Sequence, residues 1–427
     1  MKERLAIIDG VRTPFCKAGG ALAGMTADDL GAIAARELMV RTAFPATSLD
    51  ELIAGNVAQP IEAANVARVI ALKAGLPDSL IASSVHRNCA SGMEAITTAA
   101  NRILSDEAQH ILCVGTESMS NIPLIYGKQM TALFGRLMKA KSVWQKLGAW
   151  AGFRPAFLTP IIGIQVGLTD PVCGLNMGQT AELLAREFSV TRAEQDQFAM
   201  ISHQRAAAAE RRLAEELVSL PLPPSFSAVQ HKDDGPRANQ DLVALGKLKP
   251  YFDKVAGTVT VGNACPLTDG AAAMLVMRES RAKALALSPL GYLREYAYAA
   301  LDGKRMGLGP VYASAKLFAK SGLGLADFDL IELNEAFAAQ VIACERAFAS
   351  AGFAKAQLGR DTALGVIDRE RLNVNGGAIA LGHPVGATGA RLMLTILKEL
   401  RRRGLQRGLA TLCVGGGQGA ALALEVQ

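Results

Sequence analysis

Asn88-Cys89-Ala90-Ser91-Gly92-Met93-Glu94 sets a thiol in a glycine-containing turn just ahead of a helical pattern running from Met93 to about Ser105. The strand-like run Ile111-Leu112-Cys113-Val114-Gly115 follows. The same grammar returns near the other end of the chain. Gly382-His383-Pro384-Val385-Gly386-Ala387-Thr388-Gly389 is a glycine-rich turn, Ala390 to about Arg403 is helical in pattern, and Leu409-Ala410-Thr411-Leu412-Cys413-Val414-Gly415 reads as a strand. A turn–helix–strand unit ending in Cys-Val-Gly thus occurs twice, which points to an internally duplicated α/β fold. Two such halves would face each other about a pseudo-twofold axis, with one cysteine from each at a shared cleft.

Three side chains in these segments, and Asn334 between them, are the candidates to carry chemistry. A free cysteine is ordinarily a small buried hydrophobe, but Cys89 has polar neighbours and a helix directly after it. A sulfur there is expected to be held as thiolate by the helix dipole and free N–H groups. His383 lies among Gly376, Gly377, Gly382, Gly386 and Gly389, more backbone freedom than packing a histidine requires. Cys413 precedes Gly415-Gly416-Gly417, whose N–H groups would suit an oxyanion; its plainer role is a buried strand thiol. Asn334 ends the apolar run Leu330–Leu333, as a site residue, as the N-cap of the next helix, or as both. A thiolate to carry an acyl group, a second thiol to move a proton and an imidazole to activate the first sulfur fit carbon–carbon bond chemistry on thioesters.

Composition narrows the alternatives. The 427 residues are half apolar and 20% charged, a compact protein of two or three structural units. A net charge of +6 without Lys/Arg clustering suits an anionic small molecule and gives no nucleic-acid partner. Seven scattered cysteines without a Cys-x-x-Cys pair, and five histidines without zinc-ligand spacing to them, give no metal site and reduced thiols. Neither a leader-like start nor an apolar run of membrane-spanning length is present, and Glu425-Val426-Gln427 is no peroxisomal address, so a cytoplasmic location is expected. Gly377 to Gly382 has phosphate-loop spacing, but His383-Pro384 stands where Lys-Ser/Thr is needed.

One segment differs from the rest. From Asn121 to Leu168 there is no acidic residue, while Lys128, Arg136, Lys139, Lys141, Lys146 and Arg154 are basic and both tryptophans, Trp144 and Trp150, lie here. Apolar residues from Met130 to Leu147 recur at helical spacing, predicting one amphipathic helix over 128–150. It would pack on the core or lie in a membrane interface as a peripheral contact. Met177 to Ala214 reads as mostly helical, with a capping box at Thr191-Arg192-Ala193-Glu194.

Eight blocks then fall in one order: Val11–Phe15, Asn88–Ile96, Glu117–Ser120, Met177–Glu182, Gly257–Ala273, Asn334–Ala338, Asn373–Arg391 and Cys413–Gly419. In these the chain resembles the thiolases, acyl-CoA:acetyl-CoA acyltransferases, over essentially its whole length. The resemblance implies a duplicated five-layer αβαβα fold, with an N-terminal core domain of 1–120 and 250–285, a loop domain of 121–249 and a C-terminal core domain of 286–427. It implies Cys89 as acyl-accepting nucleophile, His383 as its base and Cys413 as the acid/base at the α-carbon of acetyl-CoA. Asn334 would hold a water that forms one oxyanion hole with His383; the N–H groups of Cys89 and Gly415 would form the other. Met177, Cys265 and Met306 would line the substrate and coenzyme A site, with coenzyme A a substrate and no other cofactor. Cys265 stands where the family usually has serine, and Asn176 where short-chain biosynthetic members have histidine, which argues for a different acyl pocket. The basic, tryptophan-bearing segment is similar to that of the β subunits of trifunctional fatty-acid oxidation complexes, although those often carry histidine at the position of Asn334. The expected partners are acyl-CoA and CoA, a homodimer or homotetramer, and a hydratase/dehydrogenase α subunit. The expected activity is degradative 3-ketoacyl-CoA cleavage, with acetoacetyl-CoA formation as the alternative; a cysteine hydrolase would not need Cys413.

Overall fold

The computed structural model describes residues 3–427. The first half runs β1 (Leu5–Arg12), α1 (Ala27–Thr42), β2 (Glu51–Gly55), α2 (Val66–Lys73), β3 (Ile81–Val85), α3 (Ser91–Leu104) and β4 (His110–Ser118). The chain then leaves the sheet for an insertion containing α4 (Lys128–Lys139), α5 (Val143–Trp150), α6 (Met177–Glu187) and α7 (Arg192–Ala208), and returns as β5 (Thr268–Arg278). The second half comprises β6 (Gly291–Ala300), α8 (Gly309–Ser321), β7 (Leu330–Leu333), α9 (Ala338–Ala349), α10 (Val385–Arg403), β8 (Arg407–Val414) and β9 (Gln418–Glu425).

The strands lie in the order β3-β2-β4-β5-β1-β6-β9-β8-β7. Each half repeats one scheme: an antiparallel pair, a second antiparallel pair, then parallel neighbours, seen as β1-β5-β4-β2 and as β6-β9-β8-β7. A parallel bridge from Ile331 to Leu372 stands in the second half where β3 stands in the first. The duplication is therefore real, but the Cys-Val-Gly tripeptides are not its equivalent points. Glu51 pairs with Ile111 and Leu330 pairs with Gly408, so the same displacement carries Cys113 to Ala410 and Thr116 to Cys413. Alternation along the strands agrees. Cys113 packs in the middle layer with Ala410 and Leu412, whereas Cys413 points the other way, into the cluster with Leu409.

Five layers result. Leu30, Leu38 and Ile70 of α1 and α2 cover one face of the first half against Leu52 and Leu112. Ile96 and Ile103 of α3, with Leu392 and Ile396 of α10, fill the middle against Ile53, Ile111 and Leu422. Val311, Leu317 and Ile342 of α8 and α9 close the far face against Ile331 and Leu409. Each fully buried aliphatic side chain contributes ~1.5–3 kcal/mol. The two middle helices touch at glycines: a Cβ on Gly92 would lie 2.8 Å from Ala390 N, and one on Gly389 would lie 2.6 Å from Met93 N. The displacement that relates the strands also carries Gly92 to Gly389 and Met93 to Ala390, so the pseudo-twofold axis passes between these helices.

The insertion is fastened to β1 by Arg12, which is fully buried; its Nε donates to Glu216 at 2.8 Å and its Nη1 to Asp233 at 2.7 Å. Removing one partner of such a buried pair costs about 3–5 kcal/mol. Three expectations are corrected. The 128–150 segment is two helices: α4 ends at Lys139, and Ser142 caps α5 by accepting from Gln145 N at 3.2 Å in a capping box. Asn334 caps nothing, because α9 starts only at Ala338, with Phe337 as N-cap. Helix α3 starts at Ser91, two residues ahead of the expected Met93. The Thr191 capping box is present, Thr191 Oγ1 accepting from Glu194 N at 3.2 Å. Among the described residues no helix is long and apolar enough to cross a membrane.

Candidate active site

Crossing α3 and α10 at glycines brings their N-terminal turns together, and those turns carry Cys89 and His383. Cys89 lies just outside α3, half-buried, and the preceding Asn88 takes φ +42°, the left-handed region that asparagine tolerates better than most residues. Asn88 Nδ2 donates to Gly415 O at 2.7 Å, tying the Cys89 turn to the end of β8. Gly415 also lies next to Met177: a Cβ there would be in ordinary contact with Met177 Sδ at 3.5 Å.

His383 is buried. Its Nδ1 lies 2.6 Å from Thr388 Oγ1, and that hydroxyl donates to Pro384 O at 2.9 Å. The single hydroxyl proton is thereby committed, so Nδ1–H donates to Thr388 and Nε2 carries the free lone pair. Nε2 is buried with no protein partner among the described residues. Burial, with Arg391 nearby, lowers the imidazole to about 3, which keeps it neutral and basic in form at neutral pH.

Two further segments close the site. Asn334 follows β7, its N–H donating to Thr411 O at 3.0 Å beside the strand of Cys413. Both its side-chain amide atoms are buried without a protein partner among the described residues, which suits a bound polar atom. Cys265 N donates to Ala336 O at 3.0 Å, so the cysteine lies alongside the same loop. Met177, Cys265 and Cys413 share one apolar cluster with Met306, which is buried in the second-half core. Asn176 caps α6, accepting from Gln179 N at 2.9 Å, so its side chain is engaged in helix initiation.

The thiols depart from expectation. Burial pushes Cys89 above the ordinary thiol value, against the opposing N–H groups of Gly415 and of Cys89 itself, so the resting group is the neutral thiol. Desolvation outweighs the helix start that was expected to hold a thiolate. Burial, then the neighbouring Cys89, Cys344 and Cys265, raises Cys413 well above the usual value; burial and Cys89 lift Cys265 to about 12. A neutral thiol, a neutral imidazole and a second neutral thiol together form a set that can move protons in pairs. Thr388 escaped the reading of the sequence; a threonine five residues beyond the histidine, in the first turn of a helix, was its signal. Among the described residues no cluster of His, Cys, Asp and Glu has metal-binding geometry.

Comparison with known proteins identifies the family. The Thiolase, N-terminal domain family covers residues 5–280 and the Thiolase, C-terminal domain family residues 287–426. The chain belongs to the thiolase family. It is 43% identical to the 3-ketoacyl-CoA thiolase of Pectobacterium carotovorum, over 99% of this chain and 97% of that protein. Among solved structures it is similar to the acetyl-CoA acetyltransferase of Bacillus anthracis, at 36% identity and a TM-score of 0.87 with 99% of each chain covered. It is likewise similar to human mitochondrial 3-ketoacyl-CoA thiolase in complex with CoA, at 33% identity and a TM-score of 0.85, covering 100% of this chain and 98% of that one.

Proposed function

We propose that the chain is a 3-ketoacyl-CoA thiolase, an acyltransferase that cleaves 3-ketoacyl-CoA with CoA to acetyl-CoA and a shortened acyl-CoA in fatty-acid β-oxidation. The observation that carries this reading is that the Cys89 turn is bonded to Gly415, two residues beyond Cys413, and that α3 behind it crosses α10, the helix that follows His383. His383 Nε2 takes the Cys89 proton as the sulfur attacks the 3-keto carbon. The C2–C3 bond breaks, acetyl-CoA leaves as its enolate, and Cys413 protonates C2 and becomes a thiolate. CoA thiol then gives its proton to Cys413 and attacks the acyl-enzyme; Cys89 leaves and recovers its proton from His383. Asn334, through a water, and His383 would stabilise one oxyanion, and the Cys89 and Gly415 N–H groups the other. Met177, Cys265 and Met306 would shape the pocket, the loop domain of 121–249 serving CoA binding. CoA-dependent loss of 3-ketoacyl thioester across acyl lengths tests this. Cleavage confined to acetoacetyl-CoA would favour the acetyl-CoA acetyltransferase reading, and turnover without CoA would mean a hydrolase.

A second reading concerns the α4–α5 unit, which we propose touches an anionic lipid surface. Met130, Leu133 and Ala149 form a small core of its own, leaving Met138 86%, Val143 71% and Trp144 82% exposed. The six basic residues of 121–168 make no ion pair among the described residues. Each basic residue near such a surface contributes about 1 kcal/mol, so several must act together. Co-sedimentation with anionic vesicles should fall as salt rises and when Lys139, Lys141 and Lys146 become Glu. Indifference to vesicles, with Trp144 covered by a hydratase/dehydrogenase subunit or by a homodimer or homotetramer contact, would overturn it.

A further inference from the structure

Glu117 opens the motif Glu117-Ser118-Met119-Ser120, to which the acyl-transfer roles give no task. Its side chain is fully buried near the end of β4. Oε1 accepts from Asn56 Nδ2 at 3.0 Å and Ala58 N at 2.9 Å; Oε2 accepts from Val57 N at 3.2 Å and Gly386 N at 2.9 Å. All four partners are donors, so each oxygen is filled by N–H groups and the cradle fits the ionised carboxylate. Burial opposes this and lifts the group to about 7. Two of the segments held, β4 itself and the loop after β2, belong to the first half. The fourth donor, Gly386, belongs to the second half and sits in the first turn of α10, three residues beyond His383. The approach there admits only glycine: a Cβ on Gly386 would lie 2.3 Å from Thr116 O and 3.1 Å from Glu117 Oε2.

We propose that Glu117 is a positioning residue for acyl transfer: its carboxylate clamps the first turn of α10 onto the first half and so holds His383 against Cys89. The proposal rests on the reading of Cys89 and His383 as nucleophile and base. The imidazole is fixed within that turn by Thr388 and Pro384, and Glu117 is the side chain that fixes the turn to the half bearing the sulfur. A displacement of about 1 Å between reacting groups costs roughly a hundredfold in rate. Glu117 also acts on Cys89 through its charge, which opposes formation of the thiolate. The other titratable groups that act on that sulfur are Cys265 and Cys413.

Glu117→Gln separates the clamp from a general loss of structure, because it should lower kcat while making the sulfur easier to ionise. The amide turns a donor toward an N–H, loosening the turn, and it removes the negative charge that opposes thiolate formation. Thiolysis kcat is expected to fall roughly ten- to a hundredfold. The pH midpoint for alkylation of Cys89 by iodoacetamide, followed by peptide mass spectrometry, is expected to move to lower pH. A kcat within about twofold of wild type, or a midpoint that stays or rises, overturns the proposal. Should the variant not fold, Asn56→Ala carries the test: it removes one donor but keeps the charge, so kcat should drop severalfold with the midpoint unchanged, and wild-type kcat there overturns the clamp. An acyl adduct on a residue other than Cys89 in the unaltered enzyme would sink the site reading itself.

Discussion

The N-terminal turns of α3 and α10 occupy equivalent places in the two halves, yet one is unwound and the other wound. The displacement that carries Gly92 to Gly389 carries Cys89 to Gly386. In the first half the helix begins at Ser91, leaving Cys89 outside it beside a strained Asn88. In the second half the helix begins at Val385, nearly a turn earlier by the same displacement, so Gly386 is inside it with its N–H committed to Glu117. The unwound turn frees a sulfur for chemistry, while the N–H groups of Ala90 and Ser91 bond back to Arg87 O and Asn88 O. The wound turn gives up side chains there and becomes rigid support for the histidine just ahead of it. A symmetric frame thus yields an asymmetric site by the fate of a single helical turn.

Breaking the comparison at its centre should have the largest effect. Cys89→Ala is expected to abolish acyl transfer, with no acyl adduct found by mass spectrometry after incubation with an acyl-CoA; a stable adduct on Cys413 instead would assign the nucleophile to the wrong half. His383→Ala should slow both half-reactions by ~10²–10⁴, measured as Cys89 acylation and as thiolysis, and full activity would defeat the proposed base. Cys413→Ala should spare acylation of Cys89 by a simple acyl-CoA but lose exchange of the acetyl-CoA α-proton, read as deuterium incorporation. Wild-type exchange would remove Cys413 from the mechanism.

Smaller effects sharpen the symmetry. Gly92→Ala and Gly389→Ala each force a methyl group onto the partner helix, and each should destabilise the fold by ~1–3 kcal/mol in denaturant unfolding. Sharply unequal losses would place the axis elsewhere. The smallest effect is on the pH dependence of stability. His383 is lowered from its ordinary value to about 3, so between pH about 6.5 and 3 the unfolded chain binds a proton there that the folded chain refuses. Stability from this group is complete above that window and is lost as pH falls through it. His383→Asn should therefore show a smaller drop in Tm from pH 6.5 to 4 than the unaltered protein.

The reading of the sequence reached the duplication because turn, helix and strand signals are local. It misjudged what depends on register. The repeated Cys-Val-Gly looked like the mark of equivalence, but only strand pairing reveals that Cys413 matches Thr116 and faces the opposite layer. Glu117 stayed without a role for a similar reason: its donors come from residues 56–58 and 386, and no local pattern joins them. The thiolate expected at Cys89 failed because a helix start is visible in sequence and desolvation is not. The break between α4 and α5 was there to be read, since Ser142-Val143-Trp144-Gln145 is a capping box, but the apolar period ran across it and dominated.

The middle layer bears on how the chain acquires its structure. Among the described residues the halves meet along the sheet at three residue pairs, Leu5 with Leu293, Ala6 with Tyr292 and Ile7 with Gly291. Their shared interior is much larger, because α10 packs side by side with α3 and on β4 and β5 as well as on β8. A polypeptide cut between β5 and β6 would leave the first fragment with α3 bare on one flank and the second with α10 bare on the side that met the first half. Neither fragment would be a self-sufficient folding unit, whereas the two synthesised together would have every reason to reassociate. The duplicated halves are related by descent of pattern but have become obligate complements, and the boundary that is easiest to draw along the chain is the one the core least respects.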